Sequence, residues 1–286
     1  MSSPKPGPLE RSGVLRSFDA HARSYDKLIA ANPGYREHLR LSAIRMGLPE
    51  RGAGLRLLDL GCGTGASTAA LLEVAPEAEI TAVDASAEML AQARRKAWPS
   101  NVRFVHGNAE NLAMSGLVGP YDGILTAYLL RNLVHQDAAL RQFNRLLRPG
   151  APIAVHEYSV RDSLRAKLVW TAVCWCVIIP MGRIRAGSSD LYRYLWRSAM
   201  RFDGVAALTK RMEAAGFEDV RVQTVPGWQQ HIVHTVLGRR PAAEGTVEAA
   251  SPAEAVGSTE GVDPEATTPA EGIAVIPSPP SSQQPG

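Results

Sequence analysis

The sequence has few cysteines and no apolar run long enough to cross a membrane. Its 286 residues include three cysteines, Cys62, Cys174 and Cys176, too few and too clustered for a disulfide-stabilised secreted protein. The longest strongly apolar run, residues 168–179, is well short of the roughly 20 residues that span a bilayer, so we expect no transmembrane segment. The first residues, Met-Ser-Ser-Pro-Lys-Pro, contain no apolar core, and we expect no signal peptide. These absences favour a cytoplasmic protein.

Positive charge is absent from the C-terminal part of the chain, where no Lys or Arg follows Arg240. The part before residue 241 carries all 31 basic residues and 21 of the 28 acidic ones, a net charge of +10 against +3 for the whole chain. A basic part of this kind is compatible with nucleic acid, an anionic membrane surface or an anionic substrate. Nucleic acid is the least favoured partner, because the sequence contains no known binding module with a basic stripe and interleaved aromatics.

Composition divides the chain into one domain and two flanking segments. Residues 241–286 are rich in Pro, Ala, Glu, Gly, Ser and Thr and contain no aromatic residue, so they cannot bury enough apolar surface to offset their ordering entropy. We expect this acidic tail and residues 1–12 to be disordered. The span 13–240 fits one domain, with residues 162–215 as a helical cap or insertion.

Short apolar runs alternate with helical patterns along that domain. We predict strands over 55–60, 79–84, 102–106, 122–128 and 152–158, and helices over 64–74, 86–96 and 137–147. After the helical stretch 162–215, two more strands are expected over 217–225 and 231–237, close enough to form an antiparallel edge. Alternating strands and helices predict an α/β fold with a mostly parallel sheet that is covered on both faces.

A glycine loop between the first strand and the first helix is the clearest functional signal. It reads G-x-G-x-G at Gly61, Gly63 and Gly65, preceded by Asp59. Glycines let the backbone approach a ligand, and Asp84, at the end of the next strand, can accept both hydroxyls of a ribose. A dinucleotide fingerprint would read G-x-G-x-x-G, and an acid at Asp59 would repel a pyrophosphate. The same acid suits the ammonium of S-adenosylmethionine, which we therefore predict as the cofactor; a loop without a ligand is the alternative.

Further motifs agree with that cofactor and identify a family. The chain resembles the class I S-adenosylmethionine methyltransferases, and within them the ubiquinone/menaquinone C-methyltransferases (UbiE/MenG type), over roughly residues 17–238. The resemblance rests on Phe18-Asp19, Tyr25-Asp26, residues 58–65, residues 127–133, residues 137–140, Pro149-Gly150, residues 156–159, residues 192–195 and residues 214–217. It implies a Rossmann-like class I methyltransferase fold: a seven-stranded, mostly parallel sheet with an antiparallel edge strand and a helical cap.

The loop and the resemblance together predict the cofactor contacts. Asn108 would meet the adenine edge, and Met89 would pack on the adenine face or simply in the core. The family usually has Ser where this chain has Ala127. The segment 28–35 also departs from the family's early signature, which bears on the identity of the methyl acceptor. The predicted contacts are Asp59, Gly61, Cys62, Gly63, Thr64, Gly65, Asp84, Ala85, Met89, Asn108, Ala109 and Ala127.

Carbon is a weak nucleophile unless a neighbouring ring hydroxyl loses its proton, so C-methylation needs a base or a cation that stabilises a phenolate. Arg131 cannot act as a neutral base, but it can hold an anionic oxygen or orient a water, with Asn132 fixing the geometry. A salt bridge and a helix cap are the alternatives for these two residues.

Tyr25, Tyr128 and Glu157 are candidate substrate residues. We expect His156 to be a core histidine, and we predict no metal, because no cluster has metal-ligand spacing.

The stretch 168–181 is apolar and has basic flanks, a pattern that can seat on an anionic membrane surface or form an ordinary cap over the active site. The flanking residues are Arg161, Arg165, Lys167, Arg183, Arg185, Arg193, Arg197 and Arg201. A prenylated quinol would be drawn from such a membrane. We therefore expect a cytoplasmic protein that contacts the inner face of the membrane peripherally.

The predicted function is S-adenosylmethionine-dependent C-methylation of a polyprenyl quinol, with demethylmenaquinol as the first candidate. One alternative is methylation of oxygen or carbon on another lipid or small molecule. Another is a non-catalytic S-adenosylmethionine-binding subunit that recruits a partner through its acidic tail.

Overall fold

The computed structural model describes residues 34–186 and 189–243, together with isolated N-terminal positions. These positions are Gly13, Arg16, Asp19, Ala22, Tyr25, Asp26 and Ile29. The chain divides into two compact units, and all described residues belong to the first, Met1–Thr246. The two segments expected to be disordered, 1–12 and 241–286, lie outside the described residues except for 241–243.

Seven strands form one sheet: β1 (Arg56–Leu60), β2 (Glu79–Asp84), β3 (Val102–His106), β4 (Gly123–Ala127), β5 (Pro152–Tyr158), β6 (Glu218–Thr224) and β7 (Val233–Arg239). From residue 34 onward the described chain has eight α-helices: α1 (Tyr35–Arg45), α2 (Ala66–Val74), α3 (Ala87–Arg94), α4 (Gln136–Leu146), α5 (Leu164–Val173), α6 (Ile179–Ala186), α7 (Asp190–Arg201) and α8 (Val205–Ala214). All the predicted elements are present, and their ends differ by no more than two residues.

The strands follow the order β3-β2-β1-β4-β5-β7-β6. Strands β1 to β5 are parallel, whereas β7 is antiparallel to both β5 and β6. The predicted mostly parallel sheet with an antiparallel pair at its edge is confirmed. The antiparallel strand itself lies one position in from the edge, which β6 occupies. Strand β7 begins two residues later than predicted, after His231, whose φ of 63° is incompatible with a strand.

Helices cover both faces of the sheet because alternate side chains of each strand point to opposite sides. On one face, Leu58 and Leu60 pack with Phe143 of α4 and Met212 of α8. On the other face, Leu57 belongs to a second core with residues of α1 and α2. Local signals also act as predicted: the Oγ of Ser86 accepts a hydrogen bond from the backbone N–H of Met89 and so caps α3.

Helices α5 to α7 form the predicted cap, and α8 belongs to the sheet layer instead. A π turn, Cys174–Ile178, joins α5 to α6 without a break, so Leu164–Ile184 is one helix of 21 residues, and its most apolar 18-residue stretch has a mean hydropathy of 1.5. By length and composition alone it is the one helix of the described chain that could cross a membrane. The sequence prediction counted only the central apolar run and did not foresee this continuous helix.

Trp170 of α5 attaches the cap to the sheet. It is fully buried and stacks on Tyr158, the last residue of β5, with 4.7 Å between ring centroids. Tyr158 stacks in turn on Tyr128, which follows β4, at 4.8 Å. The cap is therefore held on the carboxyl ends of the parallel strands by aromatic packing.

Replacing Trp170 with Ala should lower the free energy of unfolding by about 3–5 kcal/mol, because a large buried side chain leaves a cavity. Trp175 lies on the same helix but is 48% exposed. Its replacement with Ala should change stability by only about 0.5 kcal/mol. Urea denaturation of both variants tests this, and equal losses would contradict the packing described here.

Candidate active site

A cavity of about 330 Å³ opens at the carboxyl ends of β1 to β4. The strand order reverses beside β1, where β2 and β3 lie on one side and β4 lies on the other. Loops that leave β1 and β4 therefore diverge in opposite directions, and the crevice between them is where ligands bind in open α/β sheets.

The glycine loop after β1 forms the floor of this cavity. Gly63 has a φ of 55°, and a Cβ added at this residue would meet no protein atom within 4 Å. Its backbone N–H donates to Oδ2 of Asp84 over 2.8 Å, and the N–H of Ser86 donates to Oδ1 over the same distance. Burial raises the pKa of Asp84, and these two amide hydrogen bonds oppose that rise. The loop and the end of β2 are thus locked together around one carboxylate.

Asp59 lies behind the loop and not on the cavity wall. It is fully buried, and its Oδ2 accepts hydrogen bonds from Ser67 and Thr68 of α2 at 2.8 and 2.7 Å. Its Oδ1 has no hydrogen-bond partner among the described residues. Burial raises the pKa of Asp59 to about 7, although the two hydroxyls act to lower it. Asp59 therefore supports the loop from behind, and its oxygens do not line the cavity.

The residues around the cavity fit S-adenosylmethionine. Asp84 offers carboxylate oxygens for a ribose, Asn108 an amide for a base edge, and Met89 an apolar surface. The open space over Gly63 admits a ligand close to the backbone.

The N-terminal residues Tyr25 and Asp26 close one side of the cavity. Tyr25 lines it, and the carboxylate of Asp26 accepts hydrogen bonds from Oγ1 of Thr64 at 2.6 Å and from Nζ of Lys96 at 3.0 Å. Asp19 accepts a further hydrogen bond from Oγ of Ser86 at 2.5 Å. The described part of this segment is therefore tied to the loops after both β1 and β2.

Arg131 lies on the opposite wall, in a short turn after β4. Its Nη1 donates to Oε2 of Glu157 over 2.5 Å, and both side chains are almost fully buried. Burial acts to lower the pKa of Arg131, but Glu157 together with Tyr194 and Tyr158 opposes this, and the pKa is raised. Arg131 thus stays a cation at the cavity wall, while its Nε has no hydrogen-bond partner among the described residues.

Asn132 connects the same turn to the cap. Its Nδ2 donates to the carbonyl of Tyr128 over 3.0 Å, and its Oδ1 accepts from the hydroxyl of Tyr194 in α7 over 2.7 Å. Tyr128 has a φ of 58°, which is rare for an aromatic residue and marks a strained position.

His156 holds Tyr128 in place from below. Its Nδ1 forms a hydrogen bond with the hydroxyl of Ser42 over 2.8 Å. Its Nε2 forms one with the hydroxyl of Tyr128 over 3.0 Å. Burial lowers the pKa of His156 to about 3, which keeps the ring neutral. His156 is a hydrogen-bonded core histidine, as expected.

Comparison with known proteins shows the family of this chain. The model of the ubiE/COQ5 methyltransferase family matches residues 9–235, about four-fifths of the chain. The chain belongs to that family.

Two relatives within this methyltransferase family carry specific names. A protein of Methylobacterium nodulans named ubiquinone/menaquinone biosynthesis C-methyltransferase is 32% identical over 76% of this chain and 88% of its own length. A protein of Staphylococcus aureus named demethylmenaquinone methyltransferase is 34% identical over 61% of this chain and 72% of its own.

Solved structures agree on the fold. A Burkholderia thailandensis N1-methyltransferase, solved with 1,6-didemethyltoxoflavin and S-adenosylhomocysteine, has a TM-score of 0.56 at 20% identity, over 84% of this chain and 93% of that one. A Haemonchus contortus phosphoethanolamine N-methyltransferase in complex with S-adenosylmethionine has a TM-score of 0.55 at 16% identity, over 78% and 57%. The predictions of a class I methyltransferase fold and of a methyltransferase are confirmed, and the family is consistent with the predicted cofactor.

The structure brings most of the predicted site residues of this methyltransferase to one cavity. Asp59, Gly65 and Glu157 are the exceptions: Asp59 and Glu157 lie just behind the wall, and a Cβ at Gly65 would meet Trp98. The predicted residues on the wall are Gly61, Cys62, Gly63, Thr64, Asp84, Ala85, Met89, Asn108, Ala109, Ala127, Arg131, Asn132, Tyr25 and Tyr128. Their individual roles stay predictions.

Two site residues escaped the sequence analysis. Tyr35 lines the cavity and stacks on Tyr128 at 5.4 Å, but it lies in the segment that departs from the family's signature. Lys96 forms an ion pair with Asp26 at 2.8 Å across 70 positions of sequence. No motif signals such a long-range pair, because it depends on where the fold places Asp26 relative to Lys96.

Asp59→Asn should change how stability depends on pH. The folded-state pKa of about 7 lies above the ordinary value of 3.8, so the folded protein binds this proton more tightly than the unfolded chain does. Through Asp59, the free energy of unfolding of the unsubstituted protein therefore falls by about 1.4 kcal/mol for each pH unit between about 4 and 7. The stability of the variant relative to the unsubstituted protein should rise by about 2–3 kcal/mol from about pH 5 to about pH 8.

Urea denaturation at the two pH values measures this difference. Glu73→Gln, which removes an exposed carboxylate from the same helix layer, is the control and should show no such rise. A flat difference for Asp59→Asn would contradict the raised pKa.

Proposed function

We propose that this protein methylates a ring carbon of a polyprenyl quinol, with demethylmenaquinol as the first acceptor to test, and uses S-adenosylmethionine as the donor. The observation that carries the proposal is Arg131, a buried cation on the wall of the cofactor cavity. A permanent positive charge there suits a reaction in which an acceptor hydroxyl becomes an anionic oxygen. The names of the two family relatives support the same acceptor class.

S-adenosylmethionine supplies an electrophilic methyl group when it is bound. The chain's own residues provide position and charge. The glycine loop and Asp84 hold one side of the cavity, and Arg131 with Asn132 lies on the other, so donor and acceptor are aligned between β1 and β4.

Arg131 is suited to stabilise a quinolate rather than to remove a proton, because a guanidinium stays protonated. Its Nη1 is committed to Glu157 and its Nε is buried, so the guanidinium is proposed to act through its positive charge at the cavity wall. Glu157 is thus proposed as a positioning residue that fixes the guanidinium, and Asn132 as the residue that fixes the turn.

We also propose that the enzyme works in the cytoplasm in peripheral contact with the inner face of the membrane. A prenylated acceptor resides in that membrane, and the basic charge before residue 241 would be attracted to anionic lipid. The acidic tail, residues 241–286, is proposed to take no part in methyl transfer.

Arg131→Gln should reduce methyl transfer by on the order of a hundredfold or more, because one preorganised cation is lost where negative charge develops. The measurement is transfer of isotopic label from S-adenosylmethionine to demethylmenaquinol under reducing conditions. Label in menaquinol that is lost in the variant is the expected result. Cofactor binding without transfer in the unsubstituted protein would reject the quinol acceptor.

A single substitution leaves Glu157 as an unpaired buried charge and so also destabilises the fold. The double variant Arg131→Gln with Glu157→Gln removes both charges, and it should bind cofactor normally in calorimetry while remaining inactive. Arg141→Gln, on the exposed side of α4, is the matched control and should retain full activity. Activity in the double variant would contradict the role of Arg131.

Deleting residues 244–286 should leave the rate of methyl transfer unchanged, because the proposed active site is complete without them. The same label assay measures it. A large loss of activity would show that the tail is more than an appendage.

A further inference from the structure

The helix Leu164–Ile184 has an apolar face that the described residues leave largely exposed. Eleven large apolar side chains are exposed over the described chain, and five of them lie on this one helix. They are Leu164, Leu168, Trp175, Val177 and Ile184, with exposed fractions of 77%, 72%, 48%, 47% and 85%. We call these five residues the apolar face. Such a concentration marks an interaction surface.

The π turn Cys174–Ile178 keeps this face continuous. A π turn inserts one extra residue, which rotates the following part of the helix by about 100° relative to a regular α-helix. Without this rotation, Val177 and Ile184 would point to the side where Trp170 is buried. With it, they extend the side that carries Leu168 and Trp175. The turn therefore joins two short apolar stripes into one face.

The opposite side of the helix packs on the protein. Ala166, Trp170 and Cys174 are buried, and Trp170 stacks on Tyr158. Only 22% of the most apolar 18-residue stretch of the helix is buried. A helix that packs along its own domain in this way cannot cross a bilayer without breaking that contact. It can lie in the plane of a membrane surface with its apolar side inserted.

Arginines border the apolar face. Arg165 and Arg183 are exposed near the two ends of the helix. Arg193 and Arg197 are exposed on α7, on either side of Trp196, whose ring contacts Trp175 edge-on at 5.7 Å. Leucine and tryptophan on one side with arginine at the border is the pattern of helices that bind anionic membrane surfaces.

We propose that the apolar face docks on an anionic lipid bilayer, with Leu164–Ile184 lying parallel to the membrane surface. The proposal rests on the proposed function in one respect, since a prenylated acceptor is a reason for docking. A second copy of the chain is a poorer occupant of the face, because a symmetric pair would bring the bordering arginines of both copies together.

The docked face lies at the active-site end of the sheet. Trp170 on the inner side of the helix connects through Tyr158 to Tyr128 on the cavity wall. In addition, Tyr194 of α7 donates to Asn132 in the turn that carries Arg131. Docking would therefore place the carboxyl ends of the strands, and not the opposite edge, toward the membrane.

Co-sedimentation of the full chain with vesicles tests the proposal without any substrate. The chain should bind vesicles of phosphatidylcholine with phosphatidylglycerol, should bind pure phosphatidylcholine much less, and should dissociate as salt is raised. The double variant Leu168→Ser with Ile184→Ser should weaken binding by on the order of tenfold or more. Arg197→Gln should weaken it about fivefold.

Matched controls lie at the opposite end of the sheet, near the start of β1. Val118 is 73% exposed and its carbonyl accepts from Arg56 at the start of β1, so Val118→Ser should leave binding unchanged. Arg51→Gln, at an exposed arginine before β1, should do the same.

Three outcomes would overturn the proposal. These are an absence of binding to anionic vesicles, equal binding by the Leu168→Ser with Ile184→Ser variant, and a dimer in sedimentation that this variant dissociates. Methyl transfer to a short-chain demethylmenaquinol in detergent is measured separately. A docking failure with active enzyme rejects only the membrane surface, and docking without transfer rejects only the acceptor.

Discussion

The reversal of strand order beside β1 is the constraint on which the site depends. Parallel strands are joined by crossover connections. The connection from β1 places β2 on one side of β1, and the connection from β3 places β4 on the other side. The crevice that results is bordered by Gly63 and Asp84 on one side and by the turn with Arg131 on the other. Most residues of the proposed site lie at or just after the carboxyl ends of these strands, and the cap is attached there by Trp170.

The site contains several titratable groups that are costly to bury. Arg131 and Glu157 are tolerable because they neutralise each other, whereas Asp59 has one oxygen without a partner and a pKa of about 7. His156 avoids the cost by staying neutral and using both ring nitrogens in hydrogen bonds. Native proteins accept such local costs where a ligand or a reaction uses them.

Much of the fold was predictable because its signals are local. Alternating apolar runs, the cap at Ser86 and the glycine loop each act within a few residues, and the structure has these elements in place. Most of the predicted cofactor residues follow strands, so the rule that carboxyl ends meet at one edge was enough to group them. The buried position of Asp59 was harder to foresee, because whether a carboxylate at the end of a strand faces a ligand or the next helix depends on the packing of α2.

The contacts that sequence could not supply are those between distant segments. Lys96 with Asp26 and Tyr194 with Asn132 join the N-terminal segment and the cap to the site, and their partners are set by tertiary packing. The same holds for the continuous helix Leu164–Ile184. Its apolar face becomes one surface only through a π turn, which has no periodic signature in the sequence.

The size of the cavity has a consequence for the acceptor. At about 330 Å³, it lies near the lower end of ordinary small-molecule pockets. A nucleoside-sized donor fills most of such a space and leaves room for little more than the reacting edge of a ring. Under the proposed function, the isoprenoid chain would therefore extend beyond this cavity, and its length would have little effect on how the head group fits.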